Sequence, residues 1–187
     1  MAAGDLTSVD AVKAYLGVNA DAVYDDTVIG SLVTACSKYV QTWMNRQILT
    51  NVYSDTLNGN GKHFMVLQEF PVAEVLSVNI GGRDIPKSNG LTEPGFFMND
   101  RAVYLRHGIV FERGVGNVSI SYRAGYDKCP VDLAQAVVEM VAFRYRERDR
   151  IGHASKTLGG ETVAFTITDF PVQVRTILNN YKQVYAL

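Results

Sequence analysis

The sequence predicts an α+β protein: a small α-helical bundle built from the N- and C-terminal segments, with an antiparallel β-sheet subdomain inserted between them. Two observations carry this. Apolar residues recur at the helical period of about 3.6 at both ends of the chain and at the strand period of about 2 in the middle. The switches divide it into residues 1–48 and 126–187, the bundle, and residues 49–125, the insertion, within a single structural unit. The chain has 187 residues, 47% hydrophobic and 20% charged. That is roughly one domain's worth, too apolar for a disordered chain and large enough to bury a core without disulfide or metal staples.

The first helix is predicted near 7–16, opened by a capping pattern of Thr7 and Asp10 and closed by Gly17. Asp25-Asp26 supplies an N-cap for a longer helix. Its apolar members, from Val28 and Ile29 through Leu32, Val33, Cys36, Tyr39 and Val40 to Trp43 and Met44, fall within roughly 160° of arc. Leu32, Cys36, Tyr39 and Trp43 are therefore read as core.

From about Leu49 short β-type runs are punctuated by glycine. Val52–Leu57, the turn Asn58-Gly59-Asn60-Gly61 and His63–Leu67 form a hairpin candidate, because Asn and Gly accept the positive φ of tight turns. Further runs at Val75–Ile80, Ala102–Leu105, Ile109–Glu112 and Val118–Tyr122 complete a sheet of five or six strands. In the last, Val118, Ile120 and Tyr122 face inward and Ser119, Ser121 and Arg123 outward. Residues 86–100, with two prolines and several turn formers, read as an exposed loop.

Helical spacing returns at Pro130, which suits a first helical position. The segment Pro130–Tyr145 is apolar nearly all round, with Asp132, Gln135, Glu139 and Arg146 in a narrow polar strip, so it must be buried on more than one side, Val137 and Val141 in its core. Residues 152–169 read as a glycine-rich loop with one strand, Thr162–Thr168, and Pro171–Tyr185 as a last helix with Ile177 and Tyr181 on its apolar face. The alternation of Val163, Phe165 and Ile167 suits a strand that pairs with a neighbouring subunit.

No catalytic constellation emerges. Gly59-Asn60-Gly61-Lys62 resembles the end of a phosphate loop, but Thr56 and His63 stand where that motif needs Gly and Ser or Thr. Gly114-Val115-Gly116 precedes a strand and lacks a third glycine, so it reads as a turn. His63, His107 and His153 have no ligand partners at metal spacing, and Cys36 and Cys129 are read as two reduced thiols. No catalytic residue, metal or cofactor is therefore expected. Net charge is -1, which disfavours tight, sequence-blind DNA wrapping. No run reaches the roughly 20 apolar residues of a membrane helix, and Asp5 and Asp10 interrupt the start where a secretory signal is basic and then apolar. The expectation is a chain made and kept in the cytosol unless something larger carries it, with no membrane partner.

The arginine run Arg144-Tyr-Arg-Glu-Arg-Asp-Arg150 is the most informative polar feature. Arg144 and Arg148 share one helix face and Arg146 and Arg150 another. One reading is a solvated helix end, favoured by the macrodipole and by Glu147 and Asp149. The other is an inter-subunit or DNA-proximal contact, since the guanidinium fork suits carboxylates and phosphates.

Four segments, LTSVDAVKAYLGV, DDTVIGSLVTACSKYVQTWMNRQI, CPVDLAQAVVEMVAFRYRERDRIG and SKTLGGETVAFTITDFPVQVRTILNNY, together resemble the head-tail connector proteins of bacteriophages and prophages, also called adaptor or head-completion proteins. The β-rich middle resembles only the longer branch of that family. The resemblance implies a structural, non-enzymatic homo-oligomer in the virion neck, a ring, commonly twelvefold, beneath the portal protein. Such a ring extends the DNA channel and offers a docking surface to the next neck or tail protein, with only weak, non-specific contact to the genomic DNA passing through. On that reading Arg144, Arg146, Arg148, Arg150, Val163, Phe165 and Ile167 are inter-subunit or portal contacts. The competing reading is a small nucleic-acid-binding or regulatory module using Arg144–Arg150.

Overall fold

A computed structural model describes residues 2, 4–18, 25–148, 155–158, 161–164 and 172–182. Four helices, α1 (Val9–Leu16), α2 (Asp26–Met44), α3 (Val131–Glu147) and α4 (Val172–Tyr181), flank a run of strands. These are β1 (Asn51–Gly59), β2 (Phe64–Val66), β3 (Val72–Ile80), β4 (Arg83–Ile85), β5 (Gly95–Met98), β6 (Ala102–Arg106) and β7 (Gly114–Ala124). Between α3 and α4 lie β8 (Ser155–Leu158) and β9 (Glu161–Ala164). The chain forms two compact units, Met1–Arg46 with Cys129–Leu187, and Gln47–Lys128. The fold is α+β, with antiparallel strands inserted between helices.

In the helical unit, α1 is capped by Ser8, whose extended backbone lets its Oγ accept the Ala11 N–H at 3.1 Å. The expected Thr7–Asp10 box is not the cap. Thr7 is buried, and the hydroxyl one residue later has the capping geometry. Gly17 ends the helix in the left-handed region at φ 70°, its N–H bonded to Ala14 O, a conformation open to glycine because it lacks Cβ. Asn45 ends α2 in the same region. The Asp25 side chain makes no cap bond, contrary to expectation, because both acids are committed elsewhere. Asp26 accepts from the buried Lys13 ammonium at 2.8 Å, and Asp25 pairs with Arg148 at 3.8 Å.

The buried face of α2 is Ile29, Val33, Cys36, Ser37, Val40 and Met44. Cys36 lies at its centre, whereas Leu32, Tyr39 and Trp43 are half-buried along its margin. The buried face meets α3, and the wider apolar arc extends past that contact. Lys182 Nζ lies 4.6 Å from the Trp43 ring and covers it from α4's end. On α3, Leu133, Ala136, Val137, Val138, Met140, Val141 and Ala142 are all buried, because α3 packs against α1, α2 and α4. Pro130 sits one place earlier than expected, as the residue before the helix. α4 buries Val174 and Leu178, leaves Ile177 half-buried, and is tied to α3 by Tyr181, whose hydroxyl donates to the Asp132 carboxylate at 2.7 Å.

The inserted unit holds two sheets, not one: β1-β7-β3-β4 and β2-β6-β5. Both contribute to one core, with Val75, Val78, Ile80, Val118, Ile120 and Tyr122 from the first and Met65, Phe96, Val103 and Leu105 from the second. The alternation of Val118, Ile120 and Tyr122 inward along β7 holds. The Val52–Leu67 hairpin does not form. β1 pairs antiparallel with β7 and β2 with β6, because the Asn-Gly segment carries the chain from one sheet to the other. Asn60 organises that crossing, accepting from Lys62 N–H and donating to Phe64 O. Ile109–Glu112 is not a strand but a connector with Phe111 buried in the core. Residues 86–100 are not simply a loop: they contain β5, which buries Phe96 against the core. β9 covers Glu161–Ala164, and the expected strand residues 165–168 lie outside the described residues, as does the end of the last helix beyond Lys182.

Candidate functional site

The C-terminal half of α3 carries Arg144 and Arg146 on different faces, as helical spacing requires, and Arg148 follows at its end. Arg144 and Arg148 lie toward α2. The Arg144 Cζ stands 5.4 Å from the Tyr39 ring, and the Arg148 Cζ stands 3.9 Å from the Tyr145 ring while its Nη1 reaches Asp25. These contacts hold the helix end within the bundle. Each cation–π contact contributes about 0.5–1 kcal/mol at an exposed site.

Arg146 points elsewhere. With Glu139, Ala142, Phe143 and Glu147 of α3, Tyr15 of α1, and Gln173 and Ile177 of α4, it lines an open groove of about 600 Å³. Ala142, Phe143 and Ile177 give its lining apolar surface, and Arg146, Glu139 and Glu147 add charge to it. Such a groove suits a short helix or extended segment that lays an apolar side chain against Ala142, Phe143 and Ile177. The signal for it was present in the sequence as the polar strip of Glu139 and Arg146, one heptad apart. Tyr15, Phe143 and Gln173 were missed, because nothing local marks residues that only helix packing brings together.

Of the other sequence-derived contact residues, Val163 sits opposite Lys156 in the β8–β9 pair, while Arg150, Phe165 and Ile167 lie outside the described residues. The phosphate-loop lookalike is closed to phosphate: the N–H groups of Gly59, Gly61 and Lys62 donate to Asn117 Oδ1, Phe111 O and Asn60 Oδ1. Among the described residues no group of three or more His, Cys, Asp or Glu could hold a metal ion. Both thiols are poor nucleophiles. Burial raises the Cys36 pKa, partly offset by Arg144, and burial with the Asp132 charge pushes Cys129 up to about 11. Cys129 alkylation by iodoacetamide is therefore expected to stay slow at pH 8 and to rise about tenfold per pH unit toward pH 11, since only the thiolate reacts. A rate that levels off near pH 9 would show an ordinary thiol.

Residues 5–184 match the head completion protein family. The chain belongs to that family. Its fold is shared with solved structures. Against a neck of an empty gene transfer agent particle, computed with C6 symmetry, the TM-score is 0.60 at 19% identity, covering 100% of this chain and 94% of that one. Against a neck of a native gene transfer agent particle, computed with C12 symmetry, it is 0.54 at 19% identity, covering 94% and 90%. Against a virion of the native particle it is 0.59 at 20% identity, covering 100% and 94%. No curated protein matches. Within the head completion family, then, this chain presents the exposed Arg146 beside a partly apolar groove, and engages Arg144 and Arg148 in contacts of its own fold.

Proposed function

We propose that this head completion protein is a structural, non-enzymatic subunit of a virion neck, assembling as a ring below the portal protein, extending the DNA channel and offering a docking surface to the next neck or tail protein. The observation that carries the reading is the family match across nearly the whole chain, residues 5–184. The likeness in fold to neck structures computed with C6 and C12 symmetry supports a ring. In a ring each subunit meets its neighbours through two different surfaces, and the groove beside Arg146 is one candidate, with Val163 and the rest of 161–168 another. DNA contact is weak and secondary: Arg144 and Arg148 are engaged within the bundle, and Glu139 and Glu147 flank Arg146. That weighs against a nucleic-acid-binding or regulatory module built on Arg144–Arg150.

The test is Arg146→Glu. It should lower the yield of ring or portal complex about tenfold, roughly 1.4 kcal/mol, while leaving weak DNA retention at about 0.15 M salt little changed. Mass measurement at low and high salt supplies the second arm, since contacts built on apolar area persist where phosphate contacts fall away. If assembly is untouched and DNA retention collapses, the nucleic-acid reading replaces this one.

A further inference from the structure

The inserted unit carries a second surface that the family reading does not use. The sheet β2-β6-β5 turns Met65, Phe96, Val103 and Leu105 into the core, so its other face carries the register row Phe64, Tyr104, Phe97. The Phe64 and Tyr104 rings lie 6.1 Å apart, and the Tyr104 and Phe97 rings stack at 5.0 Å with 16° between their planes. Cations close the row at both ends: Lys62 Nζ is 5.6 Å from the Phe64 ring, and Arg106 Cζ is 4.3 Å from the Phe97 ring. Val66, 62% exposed, extends the apolar surface beside Phe64.

We propose that this strip docks a partner protein through a segment that alternates carboxylate and apolar side chains. Charge complementarity selects the occupant. The ionic groups on the row are both cationic, and among the described residues neither forms a salt bridge. Aromatic edges carry the positive part of the ring quadrupole, so the exposed rim of the row favours carboxylate oxygens as well. Arg106 is steadied by the Gly90 carbonyl and Tyr104 by Asn99 Nδ2, so the anchors are held before a partner arrives. Tyr and Arg anchors over apolar area are the composition of interface hot spots. Nucleic acid fits less well. Tyr104 already stacks on Phe97, and a phosphate backbone needs cations along its length where here three rings fill the span between Lys62 and Arg106.

The experiment uses the full chain and a labelled peptide alternating Glu and Leu, with a version carrying Gln for Glu and a single-stranded oligonucleotide as competing probes. The Glu peptide should bind, the Gln peptide should bind about tenfold more weakly, and the double variant Lys62→Glu with Arg106→Glu should lose about tenfold or more in affinity for the Glu peptide. A matched charge reversal on the other sheet, Arg83→Glu with Arg123→Glu, should leave binding unchanged. Phe64→Ala should weaken binding without reversing any charge. If the double variant fails to fold, the exposed Lys62→Gln alone carries the comparison. Equal binding of the Gln peptide, or no peptide binding, overturns the proposal. Preferential oligonucleotide binding that the double variant abolishes makes the strip a nucleic-acid site, and self-association that the double variant abolishes makes the occupant a second copy of the chain; either outcome also overturns it.

Discussion

Tyr122→Ala is expected to destabilise the protein by about 3–5 kcal/mol, the usual range for removing a fully buried aromatic side chain. Tyr122 is 0% exposed at the centre of the inserted unit's core, and its ring lies 5.7 Å from that of Tyr53 on the neighbouring strand. Its hydroxyl does two further things. It donates to Asp55 Oδ2 at 2.7 Å and accepts the Glu69 N–H at 3.3 Å, which ties β1 and the β2–β3 connection to β7. Burial, followed by the Asp55 carboxylate, raises the Tyr122 pKa well above the usual phenol value, so the hydroxyl stays protonated and donating at every pH at which the protein is handled. Tyr122→Phe keeps the ring and removes only these bonds, and should cost about 1–2 kcal/mol. Urea unfolding of both variants checks this. If Ala is no worse than Phe, the ring is not the packing centre described above.

Gly59→Ala should lower stability by about 3 kcal/mol, at the upper end for overpacking, because the obstacle is backbone. A Cβ at Gly59 would stand 1.7 Å from Glu112 O and 2.7 Å from Glu112 C, and no rotamer change can relieve that. The β1–β7 register shifts between Leu57 and Gly59, and Gly59 N–H is held by Asn117 Oδ1 at 2.9 Å. The strand must therefore separate or lose that bond. Gly17→Ala is the matched comparison: nothing lies within 4 Å of its Cβ position, and only the left-handed φ of 70° resists substitution. That strain is worth about 1 kcal/mol. Thermal unfolding of the two variants should separate them clearly, and equal losses would mean that β1 and the Glu112 connector do not approach as closely as described.

The contrast between α2 and the strands shows where sequence reasoning stops. On α2, five of the nine apolar residues of the expected face, Ile29, Val33, Cys36, Val40 and Met44, are buried and Val28 is exposed, because their arc is wider than one helix contact can bury. The packing partner therefore decides that Val33 and Val40 are enclosed while Leu32 and Trp43 stand at the margin. Among the strands, β7 was legible from residue type and alternation and Val75–Ile80 of β3 from residue type, but the partner of β1 was not. The nearest β-type run in sequence, His63–Leu67, looked like its hairpin mate, whereas the chain closes β1 onto β7, more than fifty residues away. β5 escaped notice because four residues within a stretch of Gly and Pro show no period. Without β5, the row Phe64, Tyr104, Phe97 could not be seen at all.

By itself, then, the sequence determined what local chemistry can determine: the alternation of helical and strand periods, the Gly17 stop, the multiply buried α3, the separation of Arg144 and Arg146 onto different helix faces, and the pattern of apolar, Arg and Pro positions by which the chain resembles its family. Tertiary structure alone decided the division into two sheets, the groove shared by Tyr15, Arg146 and Ile177, and the cation-capped aromatic row. The physical reason is distance along the chain. Periodicity and capping arise from steric and hydrogen-bonding preferences within a few residues. Strand pairing and groove formation depend instead on which distant apolar surfaces exclude water together, and one sequence window holds only half of each such contact.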